Sequence, residues 1–218
     1  MNRLSSEDYN TLLERIHPII LDKGLKAATM DIVAKRLQMS KRTLYEIFDS
    51  KDDMILKVLS HHADQNHKAV WEIMHTAPNV MEAFIKIFAL HRDDFHQMNI
   101  AFFKDIDRLY SNIRPEHEEN HKKFQKEMLK FINMGIEEGY IRGDLNFPIL
   151  LRMVEIQMES IKRMEELFPP EITMIELFDT IIVSFLRSIS TVKGVELLEQ
   201  LIPLHFSDSS LKMYARDN

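Results

Sequence analysis

The sequence predicts an all-α fold for this chain of 218 residues. Only 5 glycines and 7 prolines are present to interrupt helices, and the composition is rich in Leu, Ile, Met, Glu and Lys, which favour helix formation. Apolar residues recur at helical spacing, whereas the alternation that is typical of β-strands is nearly absent. With 45% hydrophobic and 28% charged residues, the chain has the composition of a globular protein that buries a substantial core.

The first predicted helix begins after Ser5 or Ser6, where a serine can cap the helix N-terminus. Its apolar stripe consists of Leu12, Leu13, Ile16, Ile19 and Ile20. Because Pro18 lies within this stripe and lacks a backbone N–H, we expect a kink there. We expect the helix to end at Gly24, since glycine readily adopts the left-handed conformation that closes many helices.

Capping hydroxyls mark the starts of the next three predicted helices. Thr29 precedes a short helix that would turn Ile32, Val33 and Leu37 inward. Ser40 follows a tight connection and would cap the third helix. Ser50 would cap a fourth, longer helix.

Longer helices are predicted beyond residue 77, where apolar residues again recur at helical spacing. The predicted ranges are 81–88, Ile100–Tyr110, 118–138, 147–168, 172–190 and 195–201. Gly139 is expected to end the third of these helices, and Pro169 and Pro170 separate the fourth from the fifth.

Charge is distributed unevenly along the chain. The whole chain carries −6, but residues 1–51 hold 9 Lys and Arg against 7 Asp and Glu, a net +2, which leaves −8 for the remainder. A basic N-terminal region on an acidic body suits a protein whose N-terminal region alone meets a polyanion.

The sequence also bears on compartment and chemistry. The absence of cysteine excludes disulfides and thiolate zinc sites. The first residues lack the apolar core of a signal peptide, and the apolar run near residues 181–186 is too short to span a bilayer. We therefore expect a cytoplasmic protein with no membrane partner. No glycine-rich phosphate loop or catalytic triad is visible, so no cofactor and no catalytic residue are predicted.

Residues 39–54, MSKRTLYEIFDSKDDM, concentrate basic and aromatic side chains around the third predicted helix. On this helix, Leu44, Ile47 and Phe48 would face the protein core. The opposite face would consist of Arg42, Tyr45 and Glu46, with Lys41 and Thr43 on its flanks. A short helix that follows a tight turn and presents polar groups in this way indicates a helix-turn-helix.

These side chains are suited to binding DNA, because ammonium, guanidinium and hydroxyl groups donate to phosphate oxygens. Arg42 can read guanine through O6 and N7, and Glu46 can accept a hydrogen bond from N4 of cytosine. Lys51, at the start of the fourth helix, can bind a neighbouring phosphate. The alternative is a solvated helix face without a ligand, since short motifs give frequent false positives.

A longer segment resembles the DNA-binding signature of the TetR/AcrR family of transcriptional regulators. It runs from about residue 12 to residue 55 and contains IILDKGLKAATMDIVAKRLQMSKRTLYEIFDSKDDMI. The glycine that ends helix 1, the threonine that opens helix 2, and the TLYEIF segment with the SK that follows it all match that signature. The resemblance implies that Leu44 and Phe48 are buried. It implies DNA contacts by Thr29, Lys41, Thr43, Tyr45 and Lys51.

Two positions depart from the family pattern. Arg42 stands where the family most often has glycine, which adds a charged side chain at the DNA groove and is expected to alter base preference. His17 and Pro18 stand in helix 1 where small alanines are usual. The complete set of predicted DNA-binding residues is Thr29, Ser40, Lys41, Arg42, Thr43, Tyr45, Glu46 and Lys51.

The resemblance also implies two domains, a helix-turn-helix DNA-binding domain at residues 1–50 and a helical domain for ligand binding and dimerisation at residues 51–218. In this family the last two long helices usually form a four-helix dimer interface. Residues 147–168 and 172–190 occupy that position here. The apolar centre of the interface would consist of Ile181, Ile182, Phe185 and Leu186.

Aromatic residues and methionines gather on the middle helices, where they can line an apolar ligand cavity with one histidine as a polar group. The predicted ligand-binding residues are Phe84, Phe88, His91, Phe103, Phe124, Met128 and Phe131. The alternative for each of them is ordinary core packing.

The leading functional prediction is a transcriptional repressor that is not an enzyme. It would bind a palindromic site in double-stranded DNA as a homodimer and would be released by a small, largely apolar effector. One alternative is a helical metal-dependent enzyme that uses histidine clusters, namely His61, His62 and His67 or His117 and His121. No metal ligand is assigned, because thiolates and an HExxH arrangement are missing. The other alternative is an adaptor whose basic N-terminal region binds an acidic protein.

Overall fold

The computed structural model describes the backbone of residues 5–110 and 114–205, and the side chains of residues 5–106 and 126–205. Its helices are α1 (Ser6–Ala27), α2 (Met30–Leu37), α3 (Lys41–Ile47), α4 (Lys51–Thr76), α5 (Val80–Gln97), α6 (Ile100–Tyr110), α7 (Arg114–Glu137), α8 (Phe147–Ser160), α9 (Met164–Leu167), α10 (Met174–Ile189) and α11 (Val192–His205). A short 3-10 turn, Ile161–Arg163, joins α8 to α9. No β-strand occurs in these two backbone ranges, and the all-α prediction is confirmed. In the same part of the chain, no helix is both long and apolar enough to cross a membrane.

The N-terminal helices start where the sequence predicts. Ser5 and Ser50 each accept a hydrogen bond at 3.1 Å from the backbone N–H three residues later. Thr29 and Ser40 cap α2 and α3 in the same manner. These oxygens satisfy backbone donors that lack a partner within the helix.

The C-terminal helices differ from their predicted bounds. The predicted helix at 147–168 ends at Ser160, because the chain tightens into the 3-10 turn and buries Ile161 before α9 begins. The predicted helix at 118–138 already begins at Arg114, since Pro115 is tolerated in the first turn. The last helix is longer than predicted and continues through Pro203.

The chain divides into two compact units. Unit 1 comprises Met1–Trp71 with Gln97–Asn112, and unit 2 comprises Glu72–His96 with Ile113–Asn218. Unit 1 therefore contains α1 to α3, most of α4, and α6. Each unit consists of two separate segments of the chain, so this division does not test a single boundary after residue 50. The predicted domain boundary therefore stays a prediction.

Unit 1 is built on one apolar core. Its buried side chains include Leu12, Leu13, Ile16, Ile20, Val33, Leu37, Leu44, Phe48, Met54 and Val58. The apolar stripe predicted for helix 1 is buried in this core. Leu44 and Phe48 also enter it, and they fix which face of α3 is turned outward.

The irregular point of α1 is Gly24, whose backbone has φ 77° and ψ 162°. The backbone leaves helical values at Gly24, where the sequence predicts the end of the first helix, and the kink expected at Pro18 stays a prediction. Pro18 removes only one hydrogen bond, and the buried stripe on either side of it holds the helix together. Gly24 also permits α6 to approach, because a Cβ at this position would lie 3.1 Å from the Cβ of Ala101.

Unit 2 has its own core, to which α5, α7 and α10 contribute. Its buried side chains include Met81, Phe84, Ile85, Phe131, Ile132, Phe178 and Leu186. Helix α10 begins with a reciprocal cap, in which Thr173 Oγ1 accepts from the Glu176 N–H at 3.2 Å and the Glu176 carboxylate accepts from the Thr173 N–H at 2.7 Å.

The burial of α10 corrects the predicted centre of the dimer interface. Ile182, Phe185 and Leu186 are buried within the single chain, and Ile181 is half-buried. The prediction that Ile182, Phe185 and Leu186 form a surface between subunits is wrong, because the apolar face of α10 already packs in the core of unit 2.

Candidate nucleic-acid interface

Helices α2 and α3 form a helix-turn-helix. After α2, Gln38 adopts the left-handed conformation with φ 57°, and the Met39 N–H donates to the Ala34 carbonyl at 2.9 Å. Ser40 then opens α3, and its Oγ accepts from the Thr43 N–H at 3.0 Å. The connection is therefore short and fixed by hydrogen bonds at both ends.

The outward face of α3 carries the polar side chains that the sequence predicts there. Lys41, Arg42, Tyr45 and Glu46 are exposed, and Thr43 is half-buried on the flank. Arg42 is the extreme case, with 89% of its side chain exposed to solvent. The predicted division of α3 into a buried face and a polar face is confirmed for these positions.

Two ion pairs order the basic side chains of this face. The Lys41 ammonium lies 2.9 Å from a carboxylate oxygen of Asp31 in the first turn of α2. The hydrogen bond to Asp31 raises the pKa of Lys41, so its ammonium stays charged. Arg42 donates from Nε to Oε1 of Glu46 at 3.0 Å, one turn further along α3.

Hydroxyl groups near the start of α3 are also engaged. The hydroxyls of Ser40 and Thr43 lie 2.8 Å apart in a hydrogen bond. Thr29 is half-buried, and its Oγ1 accepts from the Ile32 N–H at 3.3 Å. Thr29 and Ser40 therefore act first as helix caps in this structure.

Lys51 lies at the start of α4, and its ammonium donates to the backbone carbonyl of Lys26 at 2.6 Å. Lys26 itself lies 2.8 Å from a carboxylate oxygen of Asp105 on α6. The end of α1 and the starts of α2 and α4 thus meet in one part of unit 1. Sequence reasoning missed Asp31 and Lys26 as partners, because no local spacing connects them to Lys41 and Lys51.

Three of the predicted ligand-binding residues are in ring contact within unit 2. Phe84 makes an edge contact with Phe131 at 5.3 Å between ring centroids, and it stacks on Phe88 at 6.1 Å. His91 and Met128 are half-buried in the same unit. Phe103 belongs to unit 1, and the side chain of Phe124 lies outside the described residues.

Unit 2 also contains a buried ion pair that the sequence reasoning missed. Arg92 on α5 donates from Nε and Nη2 to the two oxygens of Asp179 on α10, at 2.8 and 3.0 Å. An aromatic contact lies next to this pair in the sequence. Phe95, three residues after Arg92, stacks on Phe178, the residue before Asp179, with ring centroids 4.4 Å apart. The available signal was a lone aspartate within the very apolar helix α10.

The histidines that suggested a metal-dependent enzyme are distributed as follows. His61 lies 3.5 Å from a carboxylate oxygen of Glu14, and His62 stacks on His17 with ring centroids 3.6 Å apart. His62 also hydrogen-bonds Asn66 at 3.0 Å. The second predicted pair, His117 and His121, lies outside the residues whose side chains are described.

Comparison with known proteins places this helix-turn-helix in a family. Residues 12–58 match the family described as bacterial regulatory proteins, tetR family. The repressor KstR2 of Mycobacterium tuberculosis is 28% identical over 147 residues, which cover 66% of this chain and 74% of KstR2. The family match covers the segment that resembles the TetR/AcrR signature.

Solved structures share the fold. The structure of KstR2, a ketosteroid transcriptional regulator of M. tuberculosis, has a TM-score of 0.57 at 23% identity and covers 87% of this chain and 97% of KstR2. The TetR family regulator CifR, solved with a 26-base-pair operator, has a TM-score of 0.56 at 14% identity over 84% of this chain and 98% of CifR. FadR of Bacillus subtilis, solved with stearoyl-CoA, has a TM-score of 0.53 at 13% identity over 83% of this chain and 99% of FadR.

These matches decide between the predicted classes of protein. The relatives and structural neighbours are transcriptional regulators, so the prediction that the chain is not an enzyme is confirmed. Residues 12–58 carry the DNA-binding region of the tetR family of bacterial regulatory proteins, and the chain is similar to DNA-binding transcriptional regulators of that family.

Proposed function

We propose that this chain is a cytoplasmic repressor that binds a palindromic operator as a homodimer and is released by a small, largely apolar effector. The observation that carries the proposal is the outward face of α3, which presents basic, phenolic and carboxylate groups over a fully apolar buried face. The similarity to the repressor KstR2 supports the sign of regulation.

DNA contact by unit 1 follows from the chemistry of this face. Lys41 and Lys51 carry ammonium groups at the starts of α3 and α4, where they can donate to phosphate oxygens. Their present partners, the Asp31 carboxylate and the Lys26 carbonyl, lie in unit 1 and hold them in place. The exposed phenol of Tyr45 extends from the same face. We assign these three residues to phosphate contacts and to orienting unit 1 on the duplex.

Dimerisation is supported by an apolar stripe on α8. Ile149, Met153 and Ile156 recur at helical spacing and are 56%, 50% and 52% exposed in the single chain. Exposed apolar residues that line one helix face indicate a protein contact. We assign a second copy of this chain to that face, because a palindromic operator requires two recognition helices about 34–36 Å apart.

The effector proposal rests on the aromatic side chains of unit 2. The contacts among Phe84, Phe88 and Phe131 provide an apolar wall, and the half-buried His91 lies on the same helix as two of these rings. FadR was solved with stearoyl-CoA, a ligand with a long apolar chain. An effector releases DNA to the extent that it binds the DNA-free form more tightly.

Selection of bound sequences from a random DNA pool tests the proposed function. A repressor of this kind enriches a palindromic motif at physiological salt. Lys51→Ala should weaken binding to all sequences about tenfold and reduce the slope of log affinity against log salt by about 1 per protomer. Tyr45→Ala should weaken binding to all sequences without changing which motif is enriched.

Lys130→Ala serves as the matched control, because it removes one exposed ammonium from unit 2. Unchanged operator affinity of both Lys51→Ala and Tyr45→Ala would contradict the contact assignment. Capture of an acidic protein without any sequence-specific DNA binding would favour the adaptor alternative.

Sedimentation equilibrium tests the dimer. Met153→Asp places a carboxylate in the centre of the α8 stripe and should shift the protein from dimer to monomer. Val192→Asp introduces the same group at a position that is 77% exposed outside the stripe, and it should leave the dimer intact. A dimer that survives Met153→Asp would place the interface elsewhere.

A further inference from the structure

The charged side chains of α3 lie in the order that the helix dipole disfavours. Lys41 and Arg42 lie in the first turn, where the dipole is positive, and Glu46 lies in the last turn, where it is negative. The first turn contains no acidic residue and the last turn no basic one. Stability alone favours the reverse arrangement, so this order indicates that the positions serve another purpose.

The Arg42–Glu46 pair also has the weaker orientation for its spacing. An acidic residue that precedes a basic one by four positions stabilises a helix more than the order found here. Both side chains are largely exposed, at 89% for Arg42 and 51% for Glu46. Exposed pairs of this kind contribute little to folding. The pair is therefore poorly explained as a stabilising device.

The geometry of the pair orients the guanidinium. Glu46 Oε1 receives the hydrogen bond from Nε of Arg42 at 3.0 Å. A guanidinium carries five N–H donors in one plane, and a bond through Nε leaves the four on the two Nη atoms for another acceptor. Those donors match O6 and N7 of guanine in the major groove.

The buried face of α3 also fixes the direction in which Arg42 projects. Leu44 and Phe48 are fully buried on the opposite side of the helix, so the helix cannot rotate Arg42 away without exposing them. Arg42 therefore projects from a face whose direction is fixed by the core of unit 1.

We infer that Glu46 is a positioning residue, whose carboxylate holds the Arg42 guanidinium so that its Nη edge reads one guanine in each half of the operator. This inference rests on the proposed DNA binding and assigns the base preference of α3 to the pair. It replaces a direct contact of Glu46 with cytosine by an action through Arg42.

The test compares base preferences of variants on the motif that the wild-type protein enriches. Arg42→Lys keeps the charge but lacks the planar fork, and it should reduce the preference for guanine at one symmetric position from roughly tenfold or more to about twofold. Glu46→Ala should reduce the same preference and raise affinity for unrelated DNA, because a negative charge near phosphates is removed. Glu46→Gln retains an oxygen that accepts from Nε, and it should retain most of the preference.

The exposed pair Arg163–Glu166 provides the matched control, since Nε of Arg163 also donates to a glutamate oxygen at 3.0 Å. Glu166→Ala removes the same charge and the same kind of hydrogen bond in unit 2, and it should leave base preference and salt dependence unchanged. Because Glu46→Gln and Glu46→Ala differ in the acceptor, their comparison separates positioning from a simple change of charge.

Three outcomes would overturn the inference. The first is an unchanged guanine preference in Arg42→Lys or Glu46→Ala. The second is an equal loss in Glu46→Gln and Glu46→Ala. The third is loss of a cytosine preference in Glu46→Ala with the guanine preference intact, which would assign Glu46 a direct base contact. If the wild-type protein enriches no motif, the proposed function itself fails, and this result is distinct from the other three.

Discussion

Each unit of the molecule contains an arginine–carboxylate pair that uses Nε of the arginine, but the two pairs have opposite surroundings. Arg42 and Glu46 lie on the surface of unit 1, with 89% and 51% of their side chains exposed. Arg92 and Asp179 lie inside unit 2, where 10% and 1% are exposed. The surface pair joins neighbouring turns of one helix, whereas the buried pair joins α5 to α10 through two hydrogen bonds.

The comparison shows that similar hydrogen bonds can have different consequences. The surface pair contributes little to stability, and the Nη donors of Arg42 stay open to water or to a nucleic-acid acceptor. The buried pair cannot exchange its partners in this way, because each charge depends on the other for compensation in a medium of low polarity. The surface pair of unit 1 therefore remains accessible to solvent, whereas the buried pair of unit 2 fixes two helices against each other.

Removing one member of the buried pair should have the largest effect. Asp179→Ala leaves the Arg92 guanidinium without the carboxylate that it binds at two points, and it should lower the free energy of unfolding by about 3–5 kcal/mol. Urea denaturation measures the change. Glu166→Ala, which breaks an exposed pair, should remain within about 0.5 kcal/mol of the wild type. A loss below about 1 kcal/mol in Asp179→Ala would show that the pair is not electrostatically isolated from water.

Unit 1 has a comparable point of sensitivity in its backbone. Gly24→Ala should lower the free energy of unfolding by about 1–3 kcal/mol, because a side chain is strained at φ 77°. The new Cβ would also lie 3.1 Å from the Cβ of Ala101.

Gly139→Ala provides a comparison at a second positive φ. Gly139 has φ 75°, but a Cβ there would meet no atom within 4 Å. Gly24→Ala should lose more Tm, because it adds the close approach of α1 to α6 and the ψ of 162° to the strain of a positive φ. Equal losses of Tm would mean that neither the close approach nor this ψ destabilises the variant.

A smaller, pH-dependent effect is expected at the start of α10. The hydrogen bond from the Thr173 hydroxyl, and then that from its backbone N–H, lower the pKa of Glu176 below its usual value of 4.5. A lowered pKa stabilises the folded state above the unfolded-state value, and this contribution is lost as the pH falls through the folded-state value.

Glu176→Gln should therefore lower the free energy of unfolding by less than about 1 kcal/mol at pH 7. The difference from the wild type should shrink as the pH falls below about 4.5. Denaturation at a series of pH values measures it, with the exposed Glu171→Gln as the control. A difference that stays constant with pH would assign the effect to the geometry of the cap instead of its charge.

The surface pair should give the smallest effect on stability. Arg42→Ala is expected to change Tm by less than about 2 °C, because the pair is exposed and its charges oppose the helix dipole. A clear rise in Tm would sharpen the comparison, since it would show that Arg42 destabilises the folded protein. A large fall would contradict it.

Sequence reasoning succeeded where structure depends on near neighbours in the chain. The caps at Thr29 and Ser40 and the burial of Leu44 follow from signals within a few residues, and all three are found in the structure. These local signals were sufficient to place α2 and α3 and to distinguish the two faces of α3.

Contacts between residues that are distant in the sequence were not predictable in this way. Lys41 and its partner Asp31 are 10 residues apart, Lys51 and the Lys26 carbonyl are 25 apart, and Arg92 and Asp179 are 87 apart. No helical period connects such positions, because their proximity depends on how separate helices pack. For the same reason the sequence alone does not distinguish burial of the apolar face of α10 within the chain from burial against a partner subunit.

The two faces of α3 share no residue, and this separation has an evolutionary consequence. Leu44 and Phe48 anchor the helix, while positions 42 and 46 stand clear of the core. By the role inferred above for Arg42 and Glu46, a descendant gene can acquire a new DNA target after duplication through substitutions at these two outward positions, without changes to the core that supports them.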